Sequence, residues 1–248
     1  APLLLNPSFS VHKYAWLMEF LGNIKHYESN THETVRLALL ARKRLFSIAE
    51  QENIDFDLEK RGILHFYHSE QDYTFATRVN DMLCTGGLER HAVTLDEIRK
   101  IEPSLTGNYY GGFYCPGDAT GDIHKFTTGL ANVTKKNGVN YLFGMEVVDI
   151  EHTQNKVLIK YHQSTENMLQ NSAVVEHLEA DAVLVCGGVG SYQLANQLGD
   201  RVNVYPVKGY SITVQLEDEQ SIKNAPWVSL LDESAKIVTS RLGEDRFR

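Results

Sequence analysis

The stretch DAVLVCGGVGSYQLANQLG, residues 181–199, constrains the fold more than any other part of the chain. An unbroken apolar run meets a group of glycines and passes directly into a helix-like segment. A run of this kind predicts a strand in a sheet covered on both faces. Gly187, Gly188 and Gly190 form a turn whose backbone can approach a phosphate or ribose at a helix start. The spacing departs from GxGxxG, because Gln193 stands where the third glycine belongs. No acidic residue closes a following strand about twenty residues on. Two readings stay open: an ordinary strand–helix connection, or a tight turn packed beside a nucleotide.

Helical patterning occupies residues 8–28, with Trp16, Phe20 and Ile24 four apart. Asn30, with Glu33 three residues on, is a candidate cap for a second helix running to about Gln51. ILHFY (63–67) reads as a strand opened by Gly62. Ser69 is the expected cap of a helix reaching about Leu83, stopped by Gly86 and Gly87. A short helix covers Thr94–Ile101, and another runs from Ile123 to Lys136 before Asn137-Gly138. VNYLF (139–143) reads as a buried strand, 145–162 as a hairpin extended through VVEHLEA, and 191–199 as a short helix. In VNVYPVKGYSITVQL (202–216), alternation from Tyr210 onward predicts a strand, awkwardly opened by Pro206, Lys208 and Gly209. WVSLL adds one more strand, and AKIVTSRLGEDRFR reads as a hairpin stopping within its second arm. That stop, and a start without methionine, carry the expectation that the chain is a piece of a longer protein. Early helices, a late meander and one buried strand–helix unit predict a mixed α/β (α+β) chain of two interwoven lobes.

A formal charge of −8 with scattered cations argues against nucleic acid as the main partner. Three cysteines without a CxxC pair fit a reducing compartment better than a disulfide scaffold. No apolar run approaches the ~20 residues of a membrane span, and APLLLNPSF has no basic segment of a signal peptide. No metal is expected, since His65 and His68 lack a third ligand, and no GxSxG marks a serine nucleophile. Lys208, Tyr210, Lys236, Ser240 and Arg241 cluster near the late strands. Cations and a hydroxyl in such a group suit a small anionic substrate in an apolar pocket. The alternative is a set of surface cations and a half-buried tyrosine. Val147 and Val148, early in their strand, read as core.

The order of motifs carries more than any one of them. GGFYCPGDATGDIHKFTTGLA, EVVDI, DAVLVCGGVGSYQLA, VYPVKGYSITV and SLLDESAKIVTSRLGEDRFR together resemble the D-amino-acid dehydrogenase family, within the FAD-dependent amine and amino-acid oxidases. The resemblance implies a partial FAD-binding domain interwoven with a substrate domain built on an antiparallel or mixed sheet with flanking helices. It implies mainly substrate-domain helices and a strand over 1–110, mainly FAD-binding domain over 111–200, and substrate-domain sheet over 201–248. The family's N-terminal GxGxxG unit and its C-terminal segment, with the arginine that clamps substrate carboxylate, have no counterpart here. By resemblance, Val147, Val148, Cys186, Gly187, Gly188 and Gly209 lie along FAD, while Lys208, Tyr210, Lys236 and Arg241 face the substrate. The implied reaction is oxidation of a D-amino acid by hydride transfer to flavin N5, giving a 2-oxo acid and ammonia. A quinone-type electron acceptor and a cytoplasmic location with peripheral association to a bacterial inner membrane are further implications. Rival expectations are a glycine, sarcosine or proline-type substrate on the same scaffold, or a flavin-free, non-catalytic fragment.

Overall fold

Several helices of the described chain begin at a polar side chain that accepts from their first turn. The computed structural model describes residues 9–164 and 174–248. In chain order, α1 is Val11–Asn23, α2 Tyr27–Gln51, β1 Ile63–Tyr67, α3 Glu70–Thr85, β2 His91–Val93, α4 Leu95–Ile101, β3 Gly111–Cys115 and α5 Ile123–Lys136. There follow β4 Met145–His152, β5 Val157–Gln163, β6 Glu176–Ala180, α6 Ser191–Gln197, β7 Val214–Gln215, α7 Glu219–Asn224, β8 Ser229–Asp232, β9 Ile237–Thr239, β10 Arg241–Leu242 and β11 Arg246–Phe247. Ser69 accepts from the Asp72 amide at the start of α3. Thr94 and Glu97 form a reciprocal capping box on α4. Asp122 accepts from the amides of His124 and Lys125 on α5. Each satisfies donors that the first helical turn leaves without partners. The expected cap at Asn30 is not used. A 3-10 turn at Ile24–His26 leads straight into α2, so Asn30 lies inside the helix, where its carbonyl accepts from the Thr34 hydroxyl.

By contact the chain divides into two units. The first comprises Asn23–Gly138 and Tyr210–Arg248; the second comprises 9–22 and Val139–Gly209. Residues 111–138 thus group with the first unit.

In the first unit a five-stranded mixed sheet has the order β2-β3-β1-β8-β9. Only β1 and β8 run parallel; the other pairs are antiparallel. The period of two along β1 separates its faces. Leu64 and Phe66 join Val93, Ile98, Val228 and Leu230 in one core, under α4. Tyr67 turns to the other face and packs with Phe113 and with Ala76 of α3. A third cluster, Ala49, Phe56 and Phe126, joins α2 to α5. The late hairpin forms as β10–β11, and β11 also pairs with β7.

The second unit carries an antiparallel sheet, β4-β5-β6, with a bulge between Val147 and Asp149. Of three apolar runs expected as strands, two form none and the third forms only a two-residue strand. Residues 139–143 end in a turn, with Phe143 75% exposed. Residues 181–187 are extended without a ladder, with Leu184 87% exposed. Of 202–216, only Val214–Gln215 pairs. The physical reason is common to all three. An apolar strand is stabilised by hydrogen-bonded neighbours and covered faces, and among the described residues only the end of the third run finds a paired neighbour, β11. No described helix is long and apolar enough to cross a membrane.

Arg241 is the best-enclosed polar side chain, at 0% exposure. Its guanidinium stacks over Trp227 at 3.7 Å. It donates to the carbonyls of Ile222, Ala225, Gly243 and Glu244. Replacing it leaves buried acceptors without donors. Arg241→Met is expected to lower the unfolding free energy by roughly 3 kcal/mol. Urea denaturation checks this, and a change under about 0.5 kcal/mol would place it among ordinary surface substitutions.

Candidate functional site

The turn from β8 into β9 presents the most chemically varied group of side chains in the first unit. Asp232 Oδ1 accepts from the amides of Ser234 and Ala235 and tightens the turn. Lys236 then takes a left-handed backbone with φ of 56°, uncommon for a residue with a Cβ. Its ammonium donates to Glu233 at 2.8 Å. The same carboxylate accepts from His65 Nδ1 at 3.0 Å, which joins the turn to β1.

These groups line a cavity of about 520 Å³ between α3 and the β1–β3 face. Tyr67, Arg90 and Cys115 line it from the sheet side, while Ala76, Val79 and Leu83 supply an apolar wall from α3. Burial, with Arg90 nearby, holds the His65 imidazole below its usual range, although Glu233 opposes this. Burial raises the Glu233 carboxyl, but Lys236 and His65 outweigh it and hold it below its ordinary value. Burial pushes the Cys115 thiol up to about 11, so it stays protonated and unreactive at neutral pH. Tyr67 is raised by burial and by Glu233 against the opposing charge and hydrogen bond of Arg90, so its hydroxyl stays protonated.

Of the four residues expected to face substrate, Lys236 lines this cavity and Lys208, Tyr210 and Arg241 do not. Tyr210 is 87% exposed. Lys208 and Tyr210 stand on either side of the 209/210 boundary between the units. Arg241 directs its donors at the chain's own carbonyls, a framework position. Tyr67, Arg90 and Glu233 were not singled out from sequence, and His65 was considered only as a metal ligand. The alternation in ILHFY does place His65 and Tyr67 together on one face, opposite Leu64 and Phe66.

In the second unit, Gly187 leads into a short 3-10 turn over Gly188–Gly190, which continues as α6. Gly188 has φ of 55°, a conformation glycine adopts without penalty. A side-chain carbon at Gly188 or Gly209 would meet no atom within 4 Å, and one at Gly187 only ordinary contact with Ser191 at 3.5 Å. The main chain therefore faces open space, which fits residues that touch a large cofactor through backbone atoms. Cys186 is exposed beside the turn. Gln197, on the helix that follows, donates to the Val148 carbonyl at 3.0 Å, tying α6 to the β4 bulge. Val147 is partly exposed at that bulge. The expected cofactor residues 147, 148, 187 and 188 thus belong to one tied pair of elements.

A family model described as FAD dependent oxidoreductase matches residues 10–247. A D-amino acid dehydrogenase 3 of Mesorhizobium japonicum is 48% identical over all of this chain, which spans 58% of that protein. A D-amino acid dehydrogenase of Rhizorhabdus wittichii is 34% identical over the whole chain, again spanning little more than half, 57%, of its length. Among solved structures, a glycine oxidase from Geobacillus kaustophilus aligns with a TM-score of 0.71 at 20% identity, covering 86% of this chain and 54% of that one. An L-proline dehydrogenase from P. horikoshii aligns at 0.62 and 13%, covering 83% and 53%. At such identities the structural likeness establishes the fold.

The His65 site makes stability depend on pH. A depressed imidazole favours the neutral form in the folded state. Its contribution is complete above its ordinary value of 6.5 and is lost as pH falls from there toward the lower folded value. Melting temperature is expected to decline through this window in the native chain and to decline less steeply in His65→Gln. Parallel curves for the two proteins would show that His65 contributes nothing to the slope.

Proposed function

Because the chain belongs to the FAD dependent oxidoreductase family, we propose that it forms part of an enzyme oxidising D-amino acids to 2-oxo acids and ammonia. The observation that carries the substrate class is 48% identity, without a gap in coverage of this chain, to a protein named D-amino acid dehydrogenase 3. Water is the co-reactant and a two-electron acceptor is reduced. FAD, when bound, would supply that acceptor.

The residues of this chain divide the remaining work. The open backbone at Gly187 and Gly188, with Val147 and Val148 at the tied bulge, would contact the cofactor through main chain. Cys186 and Gly209 would flank the same path. Lys236, fixed by Glu233, would offer a cation to the substrate carboxylate. His65 positions Lys236 through the shared Glu233. Tyr67 would keep a protonated hydroxyl toward the bound molecule, and the α3 wall would exclude water from an aliphatic side chain. Lys208 and Tyr210 belong to the proposed substrate-facing set by resemblance to the family, as does transfer of electrons to a quinone at the cytoplasmic side of a bacterial inner membrane.

Full-length protein assayed with a dye acceptor tests the reading. D-alanine and other D-amino acids are expected to reduce the dye, with L-forms, glycine, sarcosine and proline slower by at least about tenfold, a difference of ~1.4 kcal/mol in the barrier. Lys236→Met is expected to raise KM more than it lowers kcat, as loss of a binding cation should. Turnover confined to glycine, sarcosine or proline would replace D-amino acids with those substrates. A protein that carries no flavin and turns over nothing would overturn the proposal.

A further inference from the structure

Arg90 is a buried cation that the fold leaves without a counter-ion. It is 7% exposed and lines the cavity between α3 and the β1–β3 face. Its guanidinium lies over the Phe113 ring at 4.7 Å. Its side chain hydrogen-bonds the neutral Tyr67 and Cys115, its Nε is buried with no hydrogen-bond partner, and among the described residues no carboxylate comes within ion-pair distance of it. The acidic groups on the same wall are engaged elsewhere. Glu233 is shared by His65 and Lys236, Asp118 pairs with Arg42, and Asp72 accepts from Ser69. A buried charge without a partner is costly, and such groups are normally paired. The cavity thus has the shape of a site lacking its anion.

The walls define which anion. A planar carboxylate matches the fork of a guanidinium, and stacking on Phe113 fixes the plane of that fork. Asp72, Asp118 and Glu233 around the cavity oppose a doubly charged phosphate. Val79, Leu83 and Leu88 line the remaining space and suit a short hydrocarbon tail. A volume of about 520 Å³ lies within the range of small-molecule sites. We propose that this cavity binds a small aliphatic monocarboxylate, anchored by Arg90 and the Tyr67 hydroxyl. Resting on the oxidation reading, Arg90 is then a substrate- or product-recognition residue that shares the carboxylate with Lys236, supplied from the segment between α3 and β2.

The test uses the full-length protein and reads binding rather than turnover, so its failure and the failure of the oxidation reading are separate results. Isobutyrate, D-valine, 3-methyl-2-oxobutanoate and isobutylamine are titrated by calorimetry. Saturable binding of isobutyrate at one site per chain, with isobutylamine inert, is the expected result. Tighter binding of D-valine would mark the site as substrate-facing; tighter binding of the 2-oxo acid would mark it as product-facing. Arg90→Met is expected to weaken isobutyrate at least about tenfold, the value of one charge-assisted hydrogen bond. Tyr67→Phe is expected to weaken it about threefold. Should Arg90→Met fail to fold, Tyr67→Phe carries the comparison alone. No saturable carboxylate binding, equal binding of the amine, or affinities unchanged by substitution would overturn the inference.

Discussion

The enclosure of Arg241 governs the geometry of the first unit. One guanidinium gathers carbonyls from the end of α7 and from the β10–β11 turn, and it presses on Trp227. Glu102, itself buried after α4, accepts from the amides of Trp227 and Val228. The two charges hold the segment that becomes β8. From there the parallel pairing of β8 with β1 sets the register, and the β8–β9 turn brings Glu233 and Lys236 over His65. The chemistry at the cavity thus depends on a charge buried elsewhere. Removing that charge would disturb both the sheet edge and the turn.

A second set of ion pairs works beside it, on the strand that pairs with β10. Arg246 of β11 reaches both Asp57 and the helix-capping Asp122, and Lys125 of α5 reaches Asp57. The Asp122 carboxyl is held below its usual value: burial opposes this, but the Lys125 and His124 amides and the Arg246 guanidinium outweigh it. Asp122 therefore serves the start of α5 and the last strand at once, which explains why an acidic residue stands at that point of the DATGD loop.

Local chemistry was legible in the sequence where it was self-contained. Ser69 caps the helix whose start it predicts, the helix starts expected at Thr94 and Ile123 are found within a residue, and ILHFY is a strand. The sequence pattern misled where stability depends on distant neighbours. VNYLF and DAVLVCGG have the composition of buried strands, yet in the described residues they join no strand ladder and remain largely exposed. Arg241 was a natural choice for substrate contact as a cation beside candidate pocket residues, and only three dimensions reveal its carbonyl partners. Arg90 carried no local signal at all. Its significance comes from the lack of a nearby carboxylate, which no spacing in the sequence encodes. The candidate cofactor residues divided similarly: the glycine turn was visible at 187–190, while the tie from Gln197 to Val148 was not.

The central claim is that this chain belongs to a working flavoenzyme whose electrons come from a D-amino acid. Anaerobic addition of D-alanine to the purified full-length protein, followed by visible absorbance, tests it most directly. The account predicts a flavin spectrum that bleaches with D-alanine, stays unchanged with L-alanine, and returns when an electron acceptor is added. A bound flavin indifferent to every D-amino acid, or a protein with no flavin absorbance, would contradict it.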